Sequence, residues 1–150
     1  MWKTLWLGAA ATAARMLVGA TFTYAGVLKL LDPARFAEDL ANYRIFPSAA
    51  VPMLAVTVSG IEVVAGAVLF SGRLLRPAAV VICGMLLGFI AAVASALWRG
   101  LDLECGCFGG SGRVDAGLLV RDIVLLISTI FATIYHCNQW YLRCPGKQDT

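Results

Sequence analysis

The sequence predicts an all-α integral membrane protein, a four-helix bundle with a short interfacial helix after the first span. Three observations predict it. The 150 residues are 60% hydrophobic and only 14% charged, with a mean hydropathy of +0.81, where a soluble domain is nearer half apolar and a quarter charged. Four apolar segments, at roughly 9–31, 49–70, 77–97 and 116–135, each approach the about 20 residues of helix that cross a hydrocarbon core. The connections between them carry 12 of the 21 charged residues, and no internal repeat or low-complexity tract divides residues 1–150 into more than a single domain.

The first span begins close to the N-terminus. Met1–Ala14 has the lysine, apolar run and small residues of a signal peptide, but one positive charge precedes a very short apolar core and the apolar pattern resumes after Arg15. An uncleaved first helix is expected. Asp32-Pro33 then reads as a helix start, Asp as N-cap and Pro at the first helical position. Phe36, Leu40 and Tyr43 recur at i, i+4 and i+7 among Arg35, Glu38, Asp39 and Asn42, the pattern of an amphipathic helix lying on the membrane surface until Pro47.

The second span holds Gly60 and Gly66, and the third holds Gly84 and Gly88 in G-x-x-x-G spacing. Small residues let helix backbones approach closely in lipid, so these glycines are expected to pack within the bundle or against a second copy. Trp2, Trp6, Trp98, Trp140 and Tyr141 fall near the helix ends, as interfacial aromatics do.

Orientation is not fixed by lysine and arginine. With the N-terminus inside, Lys3, Arg15, Arg73, Arg76, Arg143 and Lys147 share one side, and Lys29, Arg35, Arg44, Arg99, Arg113 and Arg121 the other. Asp32, Glu38, Asp39, Asp102, Glu104 and Asp115 all fall on the second side. Both termini are therefore expected in the cytoplasm of a bacterial inner-membrane protein, with the third loop in the periplasm. The net charge of +3 gives no sign of nucleic-acid binding.

Five ionisable residues, Arg15, Lys29, Glu62, Arg121 and Asp122, lie in or near the spans, where charge is costly unless paired or hydrated. At about 1.5 Å per residue from the outer helix ends, Arg15 is roughly 24 Å deep, Glu62 roughly 20 Å and Asp122 roughly 9 Å. Matched depth predicts an Arg15–Glu62 ion pair, with Lys29 snorkelling near the mouth that holds Asp122. Two uses are open: structural pairs that fix the bundle, or a proton or quinone site facing the third loop.

That loop contains Glu104-Cys105-Gly106-Cys107-Phe108-Gly109. Two thiols one residue apart can close only a small, strained ring, which Gly106 eases. A strained disulfide is comparatively oxidising and easily exchanged. A static staple this short would restrict almost no chain entropy, and no second pair on that face completes a metal site. Disulfide exchange through Cys105 and Cys107 is the chemistry these residues favour. Cys83 reads as a small buried apolar residue. Cys137 and Cys144 fall on the opposite side, and with His136 they offer too few ligands at unrecognisable spacing for a metal.

These residues also carry a resemblance. Ala25-Gly26-Val27-Leu28-Lys29-Leu30-Leu31-Asp32-Pro33, Phe36, the Asn42-Tyr43-Arg44 to Pro47 stretch, Gly60-Ile61-Glu62, Cys105-Gly106-Cys107-Phe108-Gly109 and Arg121-Asp122 resemble MauE-type and DoxX-like membrane proteins across nearly the whole chain. The Cys-Gly-Cys-Phe-Gly stretch favours MauE over plain DoxX. The resemblance implies a four-helix membrane protein of methylamine metabolism. It would serve maturation and disulfide formation of the methylamine dehydrogenase small subunit, beside a periplasmic thioredoxin-like partner.

The loop side lacks the second cysteine pair through which quinone-linked disulfide generators relay electrons, so the expectation is a partner-dependent thiol carrier. The sequence specifies no cofactor, and a quinone is the candidate that remains. Two rivals stay open: a non-enzymatic membrane assembly factor, and a DoxX-like quinone-reactive subunit of sulfur oxidation.

Overall fold

The computed structural model describes residues 2–100, 104–105, 112–113 and 116–143, with side chains over 6–100 and 117–139. Four long helices, α1 (Trp2–Leu31), α3 (Val51–Ser71), α4 (Leu75–Trp98) and α5 (Ala116–Arg143), are joined by the short α2 (Pro33–Asn42) and a two-residue antiparallel pairing of β1 (Glu104–Cys105) with β2 (Gly112–Arg113). Each long helix contains a stretch long and apolar enough to cross a membrane: Trp6–Leu31, Val51–Ser71, Leu75–Trp98 and Gly117–Gln139. The chain is an all-α, multi-pass membrane bundle, and the four expected spans agree with these to within a few residues.

The long helices form a ring in which α1 packs on α3, α3 on α4, α4 on α5 and α5 back on α1. The α1–α3 seam is the tightest, and glycines set its spacing. A Cβ on Gly66 would lie 2.6 Å from the Thr23 backbone nitrogen, and one on Gly19 would lie 2.9 Å from the Gly66 carbonyl oxygen. Gly26, seven residues beyond Gly19, meets Ser59 and Glu62 in the same way. Lipid supplies no hydrophobic drive between helices, so this backbone approach is what holds the seam. Around it, Val18, Phe22, Leu69, Ile82 and Leu86 form the main apolar core.

The expectation for the other glycines is corrected. Among the described residues, nothing lies within 4 Å of a Cβ built on Gly60, Gly84 or Gly88. The G-x-x-x-G pair of α4 therefore packs against no helix of this bundle. Leu17, Met53, Val80 and Trp98 are among the large apolar side chains exposed around the ring, where lipid is the fitting solvent.

The interfacial helix forms as its sequence indicates. Asp32 caps α2 by accepting from the Arg35 backbone N–H at 3.1 Å, with Pro33 in the first turn. Phe36 and Tyr43 are buried, and α2 packs on α3. The N–H of Gly72, at φ 76°, donates to Leu69 and Val68 carbonyls and closes α3.

Candidate functional site

At the end of the bundle where α4 runs out and α5 begins lies a cavity of about 550 Å³, lined mainly by apolar side chains of α1, α2, α3, α4 and α5. Its polar groups are few and specific. Lys29, Glu62, Arg121 and Asp122 all line it, as do Phe36, Tyr43 and Phe89. Four of the five intramembrane ionisable candidates are thus brought together, and Arg15 is not.

Lys29 stands in the last turn of α1, where a cation suits the exposed helix carbonyls. Its Nζ donates to Glu62 Oε1 at 2.6 Å and to Oε2 at 2.7 Å. The same Nζ lies 4.8 Å from the Phe36 ring centroid and 5.5 Å from that of Phe89, so two aromatic faces flank the charge. Gly26 makes the pairing geometrically available by letting α1 settle onto Ser59 and Glu62.

The expected Arg15–Glu62 pair is therefore replaced by Lys29–Glu62, and Lys29 is buried rather than snorkelling. Depth counting assumed that the outer helix ends are level, and they are not. Gly26 is five residues from the end of α1 yet meets Glu62, eleven residues into α3. At about 1.5 Å per residue, α3 rises roughly 9 Å above the end of α1. The α2 helix packs against α3 beyond the end of α1.

Arg15 has a different task at the far end of the bundle. Its guanidinium donates to the carbonyls of Leu69 and Phe70, each at 3.2 Å. Both lie in the last turn of α3, where carbonyls run out of partners within the helix, and Leu69 accepts from the Gly72 N–H as well. A Cβ at position 72 would collide with the Arg15 guanidinium, so Gly72 is required both by its positive φ and by this contact.

Asp122 is 2% exposed. Its Oδ1 accepts from Arg121 Nε at 3.1 Å and from the second Arg121 nitrogen at 2.9 Å. Its Oδ2 is buried with no hydrogen-bond partner among the described residues. A carboxylate oxygen left this way is costly in apolar surroundings unless something completes it.

Cys105 is described at its backbone, in β1 opposite Gly112; the Cys105 side chain, Cys107 and Cys144 lie outside the described residues. The backbone pairing of Glu104 with Arg113 and Cys105 with Gly112 forms the base of a hairpin. That hairpin joins α4 to α5, and both helices contribute cavity residues near it: Ser95 one turn before the end of α4, and Arg121 and Asp122 early in α5. Cys83 is a half-buried free thiol on α4. Cys137 is also a half-buried free thiol, and its Sγ accepts from Arg76 Nε at 3.1 Å.

Phe89 and the Lys29–Glu62 partnership were not evident in the sequence, although a signal existed. Gly26-x-x-Lys29 and Ser59-x-x-Glu62 each set a small residue one turn before a charge. The small residues mark the contact face, and the charges share that face.

The family model for the methylamine utilisation protein MauE matches residues 6–135. The chain belongs to the MauE family. A curated relative, methylamine utilization protein MauE of Paracoccus denitrificans, is 32% identical over 116 residues, covering 75% of this chain. The match spans 62% of that relative's own length. No solved structure matches.

Proposed function

We propose that this chain is a membrane thiol–disulfide redox protein that assists the maturation of a periplasmic client. By family, the client is the methylamine dehydrogenase small subunit of methylamine utilisation. In this reading residues 1–150 act as a single domain in the bacterial inner membrane, and Cys105 and Cys107 exchange disulfides with a periplasmic thioredoxin-like partner. What supports the reading is the Cys105-Gly106-Cys107 sequence in the connection between α4 and α5, two helices that line the charged cavity.

The step needs no group beyond the two proteins. A partner thiolate attacks one sulfur of a Cys105–Cys107 disulfide, and the other cysteine leaves as a thiolate. The partner's second thiolate then attacks the mixed disulfide. The partner ends as a disulfide and the loop as a dithiol, so two electrons have moved to the loop.

Trapping the mixed disulfide tests this. In cells quenched with a thiol-blocking reagent, Cys105→Ser or Cys107→Ser should accumulate a covalent adduct with a periplasmic protein on non-reducing gels, formed by the reverse exchange in which the remaining loop thiolate attacks the disulfide of the oxidised partner and releases one partner thiolate. Each should also abolish client maturation. Full maturation in the Cys105→Ser/Cys107→Ser double variant would refute the redox role and leave a non-enzymatic assembly factor.

A further inference from the structure

We propose that the cavity beside α2 binds the ring of a lipid-soluble quinone, which takes the electrons that the Cys105–Cys107 dithiol holds after each exchange; this rests on the thiol–disulfide reading above. A loop left as a dithiol must be reoxidised before it can act again. The acceptor has to take two electrons and two protons, and it has to reach a site walled by membrane-spanning helices.

The cavity suits such a molecule in size, lining and polar groups. About 550 Å³ falls within the roughly 300–1,000 Å³ of small-molecule pockets, which are apolar with a few placed polar groups. Phe36 and Phe89 line the cavity beside Lys29 and give it aromatic walls. Lys29 Nζ has three N–H donors, and the two carboxylate oxygens of Glu62 account for two of them. The third can donate to a quinone carbonyl.

Asp122 supplies the complementary half. Asp122 is one of the residues that line the cavity, and its Oδ2 is buried with no hydrogen-bond partner among the described residues. A hydroquinone hydroxyl is the donor that would satisfy it, so Asp122 favours the reduced ring. In the overall step two S–H bonds break and one S–S bond forms. The two electrons and two protons convert both ring carbonyls to hydroxyls.

The test uses the purified full-length chain in detergent micelles with decylubiquinone and decylubiquinol as probes. Saturable binding of both is expected, and Cys105→Ser/Cys107→Ser should bind them as the unsubstituted chain does. Ala92→Phe, which fills the cavity from α4, should weaken both by about tenfold or more, and Asp122→Asn should weaken decylubiquinol about tenfold while sparing decylubiquinone. Decylubiquinone added to the reduced protein should yield quinol in an amount equal to the Cys105–Cys107 disulfide formed. Absence of saturable binding, or affinities unchanged in both cavity variants, would overturn the proposal. So would equal competition by decylbenzene, which would make the cavity a slot for lipid tails. A trapped mixed disulfide without quinone binding leaves the thiol reading intact and removes the quinone. Quinone binding without any mixed disulfide does the reverse.

Discussion

Lys29 and Glu62, 33 residues apart in sequence, form an ion pair in which Nζ lies 2.6 Å and 2.7 Å from the two carboxylate oxygens. Their side chains are only 3% and 7% exposed. The pair ties the end of α1 to the middle of α3 beside the tightest seam in the bundle, and it forms one wall of the cavity. The same two residues therefore join the packed seam to the cavity wall.

Breaking this pair leaves one charge buried without its partner, a loss of about 3–5 kcal/mol. Lys29→Met and Glu62→Met should each lower unfolding stability by about that amount in a titration of dodecyl maltoside micelles with sodium dodecyl sulfate. The Lys29→Met/Glu62→Met double variant should recover most of the loss, because two apolar side chains need no partner. Strictly additive losses would show that the two residues do not depend on each other.

Arg15 should behave independently of Glu62. Hydrogen bonds from a charged group to carbonyls contribute about 1.5–3 kcal/mol, so Arg15→Gln should destabilise the fold on that scale by uncapping Leu69 and Phe70. Leu69 is two turns from Glu62, about 10 Å along the helix. Combining Arg15→Gln with Glu62→Gln should thus give losses additive to within about 0.5 kcal/mol in the same titration. Rescue in the double variant would restore the Arg15–Glu62 pairing that depth alone suggests.

The contrast between these two arginine and lysine roles shows what the sequence carries. Span positions, the Asp32–Pro33 helix start and the buried face of Phe36 and Tyr43 follow from local periodicity and capping, which act over a few residues. The choice of Lys29 over Arg15 for Glu62 depends on how far α3 rises above the end of α1, which only tertiary packing determines. The glycines divide the same way. Gly66 packs as expected, while Gly84 and Gly88 have motif spacing but no neighbour in the bundle, because a spacing identifies a small-residue face and not what covers it. The Cys-Gly-Cys stretch stands out in the sequence by its two thiols, whereas the cavity between the ends of α4 and α5 is a product of tertiary packing.

A glycine series should separate packed from open positions. Gly66→Ala forces a methyl against the Thr23 backbone and Gly19 carbonyl, and overpacking of this kind costs about 1–3 kcal/mol. Gly84→Ala meets nothing within 4 Å and removes glycine's backbone freedom in a helix, which should leave stability unchanged or raise it by up to about 1 kcal/mol. Unfolding titrations of the two variants check this. Equal destabilisation would mean that the face bearing Gly84 is also buried in the protein's working state, against another chain.

Topology decides whether the thiol pair has disulfide chemistry to do. Four spans bring the chain back to the side on which it started, and the acidic residues Asp32, Glu38, Asp39, Asp102, Glu104 and Asp115 all fall in the connections on the other side. Lysines and arginines divide evenly between the two faces, so the positive-inside rule does not itself choose. The proposed redox role does, because an exchangeable disulfide would persist in the periplasm and be reduced in the cytoplasm. Reporter fusions after Gly110 and after Thr150 should therefore give opposite signals, the first periplasmic and the second cytoplasmic. Membrane-impermeant maleimide applied to intact spheroplasts should label reduced Cys105 and Cys107 and spare Cys137, which lies near the far end of α5. A cytoplasmic signal at Gly110 would place the pair among reductants, and the redox role would fail with it.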